Sequence, residues 1–219
     1  MMLSLTNRQP EESHELAGLD VAAAKTPADK AQRLLSDEAV FVNQAGQLGN
    51  PDGRIVLEHK NYDQYLADYA FSYKGITSGD DPHFRRYSWE KDRFDKEWKF
   101  LQSTVDRTGF YGGCESIQWY KAMTDPLQPG VYIRAWETMG KLGIMVSQMR
   151  ELSVALSLGE TFDTNAGLIL PFHISHLPAI WCFCSSPEYN QEVRKIDQAL
   201  KVTNASLVKV PFDLERWQK

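Results

Sequence analysis

The sequence is poor in cysteine and in long apolar runs. Only Cys114, Cys182 and Cys184 occur among 219 residues, and this odd number without a regular spacing argues against a disulfide framework. No stretch approaches the roughly 18 consecutive apolar residues that mark a membrane-spanning helix. The amino terminus carries polar and acidic residues where a signal peptide has an apolar core. We therefore expect a cytoplasmic protein in a reducing compartment, without a membrane partner.

The sequence also lacks the short motifs that mark common enzyme classes. It contains no Gly-x-Ser-x-Gly elbow, no phosphate-binding Gly-x-x-x-x-Gly-Lys-[Ser/Thr], no Gly-x-Gly-x-x-Gly and no His-Glu-x-x-His. The acidic pairs Asp80/Asp81 and Asp92/Asp95 have no candidate base or nucleophile paired with them. The residues alone do not support an independent enzyme.

The charge balance excludes a polybasic coat for nucleic acid. The net charge is -5, whereas histone-like proteins bind chiefly by neutralising phosphates. Positive charge is concentrated in the middle of the chain, because residues 74–150 hold 12 basic and 10 acidic side chains. A sequence-specific DNA module is compatible with this composition, and the 42% hydrophobic share indicates a globular protein.

The mixed order of elements predicts an α+β fold with short mixed strands and flanking helices. Residues 1–25 lack periodicity and are expected to be flexible, and residues 26–219 are expected to form the folded region. Capping signals and three- to four-residue apolar spacing predict helices from Thr26-Pro27, over Tyr62–Tyr73 before Gly75, and from Ser186-Pro187.

Strands and turns are predicted from β-rich runs and from glycine and proline. Turns are expected at Asn50-Pro51-Asp52-Gly53, Gly112-Gly113 and Pro126–Gly130, and the apolar run Leu177–Phe183 is expected to be buried. The predicted strands are Val40–Val42, Ile55–Leu57, Ile117–Tyr120, Val131–Trp136, Ile144–Val146, Leu168–Phe172 and Ser206–Val210.

The segment Tyr73–Asp81 is the first candidate for chemistry. It places two glycines, two hydroxyls and a lysine in a short loop before Phe84-Arg85-Arg86-Tyr87. Glycines allow another chain to approach, hydroxyls and main-chain N–H groups suit phosphate oxygens, and arginines reach phosphates or a guanine edge. The alternative is a turn that ends a helix and carries solvated charges.

A mixture of aromatic and charged residues follows this segment. Stacking and positive charge suit nucleic acid, but the acidic residues nearly cancel the local charge. We therefore interpret the aromatic residues as core beneath a surface of ion pairs. The aromatic residues are Trp89, Phe94, Trp98 and Phe100, the basic ones Lys91, Arg93, Lys96 and Lys99, and the acidic ones Glu90, Asp92, Asp95 and Glu97.

Four soft side chains, His173, His176, Cys182 and Cys184, lie within twelve residues and make zinc worth considering. Their spacing matches no standard ligand pattern. A Cys-x-Cys pair in an apolar run usually means two small buried residues. We predict no metal site.

Several stretches follow one another in an order that resembles a known family. They are Gly75–Asp80, Phe84–Glu90, Phe110–Gly113, Gly140–Ile144 and the long block Ala179–Trp217. Residues 40–219 resemble the target-recognition region of large adenine-specific DNA methyltransferases, found in fused (type IIG) restriction-modification proteins and in phage-defence systems. The first two stretches are similar to that family's "G-[IL]-x-[TS]-G-D…F-x-R…W-E" signature.

The resemblance implies a target-recognition fold that selects a sequence in double-stranded DNA. It implies no methyl transfer by this chain alone, because the family's glycine-rich cofactor loop and its [Asn/Asp/Ser]-Pro-Pro-[Tyr/Phe] have no match, and Asn50-Pro51-Asp52 lacks the second proline. S-adenosylmethionine is then bound by a separately encoded methyltransferase core and not by this chain. The expected DNA contacts are Lys74, Thr77, Ser78, Arg85, Arg86 and Lys141.

The chain is accordingly expected to be a fragment of a split or truncated gene. The alternative is a non-catalytic protein-interaction module, or a non-functional remnant, whose aromatic surfaces once packed on a missing core. In that case Trp89, Trp119, Trp136 and Trp181 are core or interface residues.

Overall fold

The computed structural model describes residue 4 and residues 7–49, 55–57, 64–93, 95–125 and 136–219. The chain forms two compact units, Met1–Asn61 and Tyr62–Lys219. Within the described ranges, no helix is long and apolar enough to cross a membrane.

The first unit contains a two-stranded antiparallel sheet and one helix. β1 (Glu15–Gly18) pairs with β2 (Val40–Asn43), and α1 (Pro27–Ser36) lies between them in the chain. A 3-10 helix at Ala45–Gly49 follows β2. The helix begins as predicted, because the Thr26 hydroxyl accepts a hydrogen bond from the Asp29 N–H at 3.1 Å.

Two expectations for this unit need correction. The prediction assigned no element to residues 1–25, whereas β1 lies within them and is ordered by pairing with β2. Ile55–Leu57 forms no strand, although Val40–Val42 is confirmed within β2. The predicted turn Asn50-Pro51-Asp52-Gly53 lies outside the described residues.

The second unit is built on two four-stranded sheets. The first, called the β3 sheet, has the order β3 (Ala70–Lys74), β10 (Ala166–Pro171), β7 (Gly143–Ser147), β8 (Val154–Ser157). The second, called the β4 sheet, has the order β4 (Arg85–Tyr87), β6 (Ser116–Trp119), β5 (Trp98–Gln102), β9 (Thr161–Phe162). The β3 sheet is antiparallel throughout, whereas the β4 sheet has one parallel pair, between β5 and β9.

Helices cover one face of the β3 sheet and enclose the main core. Strand side chains such as Ile144 and Val146 pack with helical side chains such as Ile180, Phe183 and Val193, all fully buried. The described α-helices of this unit are α2 (Asp81–Phe84), α3 (Tyr120–Met123), α4 (Leu177–Cys184), α5 (Pro187–Ile196) and α6 (Leu214–Trp217). The 3-10 helices are Leu66–Asp68, Ser88–Glu90, Trp136–Thr138, Ile174–His176 and Ala205–Leu207.

The α+β class is confirmed, as are several of the predicted elements. The predicted helix from Ser186-Pro187 is α5, and the apolar run Leu177–Phe183 lies in α4, which is largely buried. The strands predicted at Ile117–Tyr120, Ile144–Val146 and Leu168–Phe172 are β6, β7 and β10.

The helix predicted over Tyr62–Tyr73 is wrong. Leu66–Asp68 forms a short 3-10 helix and Ala70–Lys74 forms β3, which pairs with β10 along its whole length. Burial alternates along β3, since Ala70 and Ser72 are buried and Phe71 between them is exposed. Pairing with a strand almost 100 residues away in the chain determined this segment, whereas the tyrosine spacing suggested a helix.

The strand predicted at Ser206–Val210 is also wrong, because Ala205–Leu207 forms a 3-10 helix. The Ser206 hydroxyl is drawn inward to the Asp197 carboxylate at 2.8 Å, which favours a turn over an extended strand. The predicted turn Pro126–Gly130 and residues 131–135 of the predicted strand Val131–Trp136 lie outside the described residues.

Asp197 organises the connection between α5 and this 3-10 helix. The buried carboxylate accepts hydrogen bonds from the Thr203 N–H at 2.8 Å, the Ser206 hydroxyl at 2.8 Å and the Ala199 N–H at 3.2 Å. Burial by itself raises the pKa of Asp197, but these hydrogen bonds outweigh it and the pKa lies below its ordinary value of 3.8. The stabilisation is therefore present above about pH 4 and is lost as the pH falls through the lowered pKa.

We expect Asp197→Ala to lower the free energy of unfolding by about 2 kcal/mol at neutral pH, because three donors lose their acceptor. Asp197→Asn should cost less, since the amide oxygen still accepts. Urea denaturation at neutral pH and near pH 3 measures both variants. The difference in the free energy of unfolding between wild type and Asp197→Asn should be smaller near pH 3 than at neutral pH. An equal difference at both pH values contradicts the lowered pKa of Asp197.

Candidate nucleic-acid interface

The buried carboxylate of Asp163 lies in the turn between β9 and β10, where the two sheets meet in the chain. Its side chain accepts hydrogen bonds from the Ser103 hydroxyl at 2.6 Å, from the Asn165 N–H at 2.8 Å and from Arg85 Nη1 at 3.4 Å. The residue is 7% exposed, so its charge depends on these partners rather than on water. Asp163 therefore joins β4, the chain after β5, and the β9–β10 turn.

The chain that leaves β3 is pressed against the same turn. The Ile76 N–H donates to the Phe162 carbonyl oxygen at 2.7 Å. A Cβ on Gly75 would lie 2.3 Å from the carbonyl oxygens of both Phe162 and Asp163. Glycine at position 75 is thus required for packing within the chain, and it does not end a helix as the sequence suggested.

The next residues fold into a compact turn that leads into α2. The buried Ser78 hydroxyl donates to the Asp81 carboxylate, and the Asp80 carboxylate accepts from the His83 N–H at 3.2 Å. The latter bond caps the first turn of α2. Ser78 therefore serves the local fold, whereas Thr77 is exposed.

The two adjacent arginines have different surroundings. The Arg85 guanidinium lies 3.4 Å from Asp163 and 4.0 Å from the Asp81 carboxylate, so its charge is largely balanced inside the protein. Arg86 is exposed, and its guanidinium donates to the Pro82 carbonyl oxygen. Among the described residues, no carboxylate forms an ion pair with it. Of the two, Arg86 is available to a ligand.

A pair of exposed aromatic rings adjoins Arg86. The rings of Tyr87 and Trp89 stack with centroids 4.5 Å apart and planes 8° from parallel, and they are 51% and 69% exposed. β4 is an edge strand, so the side chains of Arg86 and Tyr87 border the same open edge from its two faces. We call Thr77, Arg86, Tyr87 and Trp89 the β4 surface.

The interpretation of the aromatic residues as a core is wrong for two of them. Trp89 and Phe100 are exposed, although Trp98 and Trp119 are half-buried and stack at 6.1 Å across neighbouring strands. Phe94 lies outside the described residues. From the predicted set, Lys91 pairs with Asp95 at 3.4 Å beside the half-buried rings. Glu97 pairs with Lys121, which the prediction did not include, at 2.6 Å, and the hydrogen bond from Lys121 lowers the pKa of Glu97.

The other two predicted DNA contacts, Lys74 and Lys141, are separated from each other along the β3 sheet. Lys141 precedes β7, and Lys74 pairs with Gly167, which pairs with Val146 near the far end of β7. Lys74 and Lys141 therefore lie towards opposite ends of the β3 sheet. The structure brings Thr77, Ser78, Arg85 and Arg86 together and leaves Lys141 away from them.

The four soft side chains that raised the possibility of zinc do not converge. The rings of His173 and His176 lie 5.4 Å apart, whereas Cys182 is exposed and Cys184 is buried on α4. Burial raises the pKa of the Cys184 thiol, which disfavours the thiolate that binds metal. Among the described residues, no group of three or more His, Cys, Asp and Glu side chains is placed to hold a metal ion.

Sequence reasoning missed Asp163 and Ser103. Asp163 lies 78 positions from Arg85 and 60 from Ser103, and no local motif marks such distant partners. Comparison with known proteins adds no further signal, because no family model matches the chain and no curated protein matches it at a significant level.

The close approach at Gly75 gives a matched pair of variants. Gly75→Ala should lower the free energy of unfolding by about 2 kcal/mol or more, because its Cβ meets backbone oxygens that cannot turn aside. Gly109→Ala should change the free energy of unfolding by about 0.5 kcal/mol or less. Apart from the adjacent residues in the chain, no atom of the described residues lies within 4 Å of the added Cβ. Urea denaturation distinguishes the two, and equal effects contradict the packing described here.

Proposed function

We propose that this chain recognises double-stranded DNA for an adenine-specific DNA methyltransferase of a restriction-modification or phage-defence system. The observation that supports the proposal most is the β4 surface, where an exposed arginine and two exposed stacked rings border an open sheet edge. Within the part of the chain that the structure describes, this arginine has no carboxylate partner. The resemblance of Gly75–Asp80 and Phe84–Glu90 to the target-recognition signature covers this same segment.

The mechanism is positioning by a firmly held segment. Asp163 and Gly75 fix the chain on either side of the Thr77–Phe84 turn, so β4 needs little reordering when a ligand binds. Arg86 can pair with a phosphate or with the O6 and N7 atoms of a guanine, and the Thr77 hydroxyl suits a phosphate oxygen. The Tyr87–Trp89 stack offers planar apolar surface to sugars or to an exposed base.

In this proposal, the chain shares DNA binding with another protein, and its charges favour such an arrangement. Its net charge is -5, and Asp163 balances one of the two arginines in the segment. Few phosphates are then neutralised by this chain, which limits its affinity alone. A separately encoded methyltransferase core completes the proposal, and S-adenosylmethionine and methyl transfer belong to that partner. Lys74 and Lys141 stay predicted phosphate contacts.

Arg86→Ala should weaken binding of a duplex oligonucleotide roughly threefold to tenfold at low salt and reduce the salt slope by about one. Arg107→Ala is the matched control, because it removes an exposed arginine from the connection between β5 and β6. Fluorescence anisotropy over a salt series with the full chain measures both variants. Equal loss in the two variants, or no loss in Arg86→Ala, removes the β4 surface from DNA recognition.

A protein-interaction module is the second candidate, and an exposed apolar patch favours it. Phe71, Leu170 and Phe172 share one face of the β3 sheet by their spacing and register, and both phenylalanines are more than half exposed. Contiguous apolar surface of this kind marks interaction sites.

Under this second candidate, the protein should bind a hydrophobic dye or self-associate across a concentration series in light scattering. Phe71→Ser should reduce both effects, because it removes one of the two exposed rings of the patch. A protein that stays monomeric at every concentration and binds no hydrophobic dye contradicts an exposed interaction surface.

A further inference from the structure

The turn between β7 and β8, residues 148–153, contains strained backbone. Arg150 and Leu152 have φ angles of 55° and 52°, in the left-handed region that residues other than glycine rarely adopt. Leu152 is buried in the main core, and its N–H donates to the Met149 carbonyl oxygen at 3.2 Å. Arg150 is exposed at the tip of the turn. Residues held in such conformations are concentrated at binding and catalytic sites.

The chain around the end of α5 holds this turn and brings two further cations to it. Met149 and Lys201 form an isolated antiparallel bridge. The Arg194 guanidinium donates to the Arg150 carbonyl oxygen at 2.9 Å and to the Ala199 carbonyl oxygen at 2.5 Å. Arg194 and Lys201 therefore lie beside the strained turn.

Lys201 extends this group of cations towards β10 and β3. Its ammonium donates to the Thr164 carbonyl oxygen at 2.9 Å and to Asn165 Oδ1 at 3.2 Å. Gly167, two residues after Asn165, is paired in register with Lys74, which is exposed. β3 and β7 are two strand spacings apart, which is roughly 10 Å. Lys74 thus lies at the same end of the β3 sheet as the turn.

The four cations at this end of the sheet form no ion pair within the described residues. Arg194 and Lys201 donate to neutral oxygens, which do not cancel their charge. Glu151 is the one carboxylate in the turn itself. Asp106, whose carbonyl oxygen accepts from the turn at 3.2 Å, is followed by Arg107, so these two exposed residues carry opposite charges side by side. We call Lys74, Arg150, Arg194 and Lys201 the basic end of the β3 sheet.

Short contacts connect the basic end with the β4 surface. Thr77 follows Ile76, whose N–H donates to the Phe162 carbonyl oxygen at 2.7 Å. Thr164, two residues after Phe162, accepts the hydrogen bond from Lys201. Both regions therefore adjoin the turn between β9 and β10.

We propose that the basic end binds the phosphate backbone of the DNA duplex that the β4 surface contacts. This inference rests on the proposed DNA recognition. Phosphate contacts fix the position of a protein on the duplex and carry no sequence information, whereas side chains such as Arg86 can read base edges. The strained turn is already held by its contacts, so a phosphate binds without reordering it.

The arrangement of the cations favours a row of charges over a single bound anion. Lys74 and Arg150 are separated by about two strand spacings on exposed surface, roughly 10 Å. A duplex supplies phosphates every few ångströms along such a surface. Its oxygens also accept from guanidinium and ammonium groups in charge-assisted hydrogen bonds.

The test follows amide hydrogen exchange of the full chain at low salt, with a duplex oligonucleotide or with polyglutamate of similar charge. The backbone hydrogen bonds among the described residues include none from the Arg150 and Glu151 N–H groups, so both report on a ligand. The duplex should slow their exchange about threefold or more. Polyglutamate should slow it less.

Arg150→Asn removes one charge from the basic end, and asparagine suits the left-handed conformation at this position. It should weaken duplex binding roughly twofold to fivefold at low salt and reduce the salt slope by about one, with the thermal midpoint unchanged within a few degrees. Arg150→Lys should keep the salt slope. Lys96→Gln is the matched control, because it removes an exposed lysine at the end of β5 away from the β9–β10 turn.

The outcomes separate this inference from the proposed function. Unchanged exchange at Arg150 and Glu151, with slowed exchange at Thr77 and Arg86–Trp89, overturns the basic end and leaves DNA recognition by the β4 surface intact. Slowed exchange in the turn alone supports the basic end and contradicts the β4 surface. Unchanged exchange in both segments contradicts both.

Two further results overturn the inference. Equal protection of the turn by polyglutamate assigns the basic end to an acidic protein segment. Equal loss of affinity in Lys96→Gln and Arg150→Asn assigns the effect to the net charge of the chain and not to a contact at the turn.

Discussion

The carboxylate of Asp163 is the point through which the second unit holds its two sheets in a fixed relation. It lies in the short turn from β9 to β10, and so it belongs to both sheets at once. Its hydrogen bonds reach Arg85 on β4 and Ser103 after β5. A buried charge is stable only when such partners are present, so the loss of any one of them leaves the others poorly satisfied. The position of β4 depends on this cluster.

The same cluster decides which polar side chains can bind a ligand. Arg85 and Arg86 are neighbours, yet one balances a buried carboxylate and the other is exposed beside two stacked rings. Ser78 and Thr77 differ in the same way, because the Ser78 hydroxyl donates to the Asp81 carboxylate whereas Thr77 is exposed. Of these four side chains, Arg85 and Ser78 support the segment itself. Arg86 and Thr77, with Tyr87 and Trp89, form its surface.

Local signals in the sequence predicted the elements whose causes are local. Thr26 and Ser186 cap helices because the hydrogen bond that they form spans three residues. The helix predicted over Tyr62–Tyr73 from the local tyrosine spacing is wrong, because pairing with the distant β10 makes Ala70–Lys74 a strand. The candidate site was predictable only in the part that local signals determine. Arg85 and Arg86 stand out in the sequence, but Asp163 is brought to Arg85 only by the fold.

Both proposals concern DNA, at the β4 surface and at the basic end of the β3 sheet, and recognition through the β4 surface is the central one. The most direct test is amide hydrogen exchange of the wild-type chain at low salt, with and without a duplex of randomised sequence. DNA recognition through the β4 surface predicts slowed exchange at Thr77 and along Arg86–Trp89. Unchanged exchange in that segment, or protection confined to the turn between β7 and β8, contradicts it.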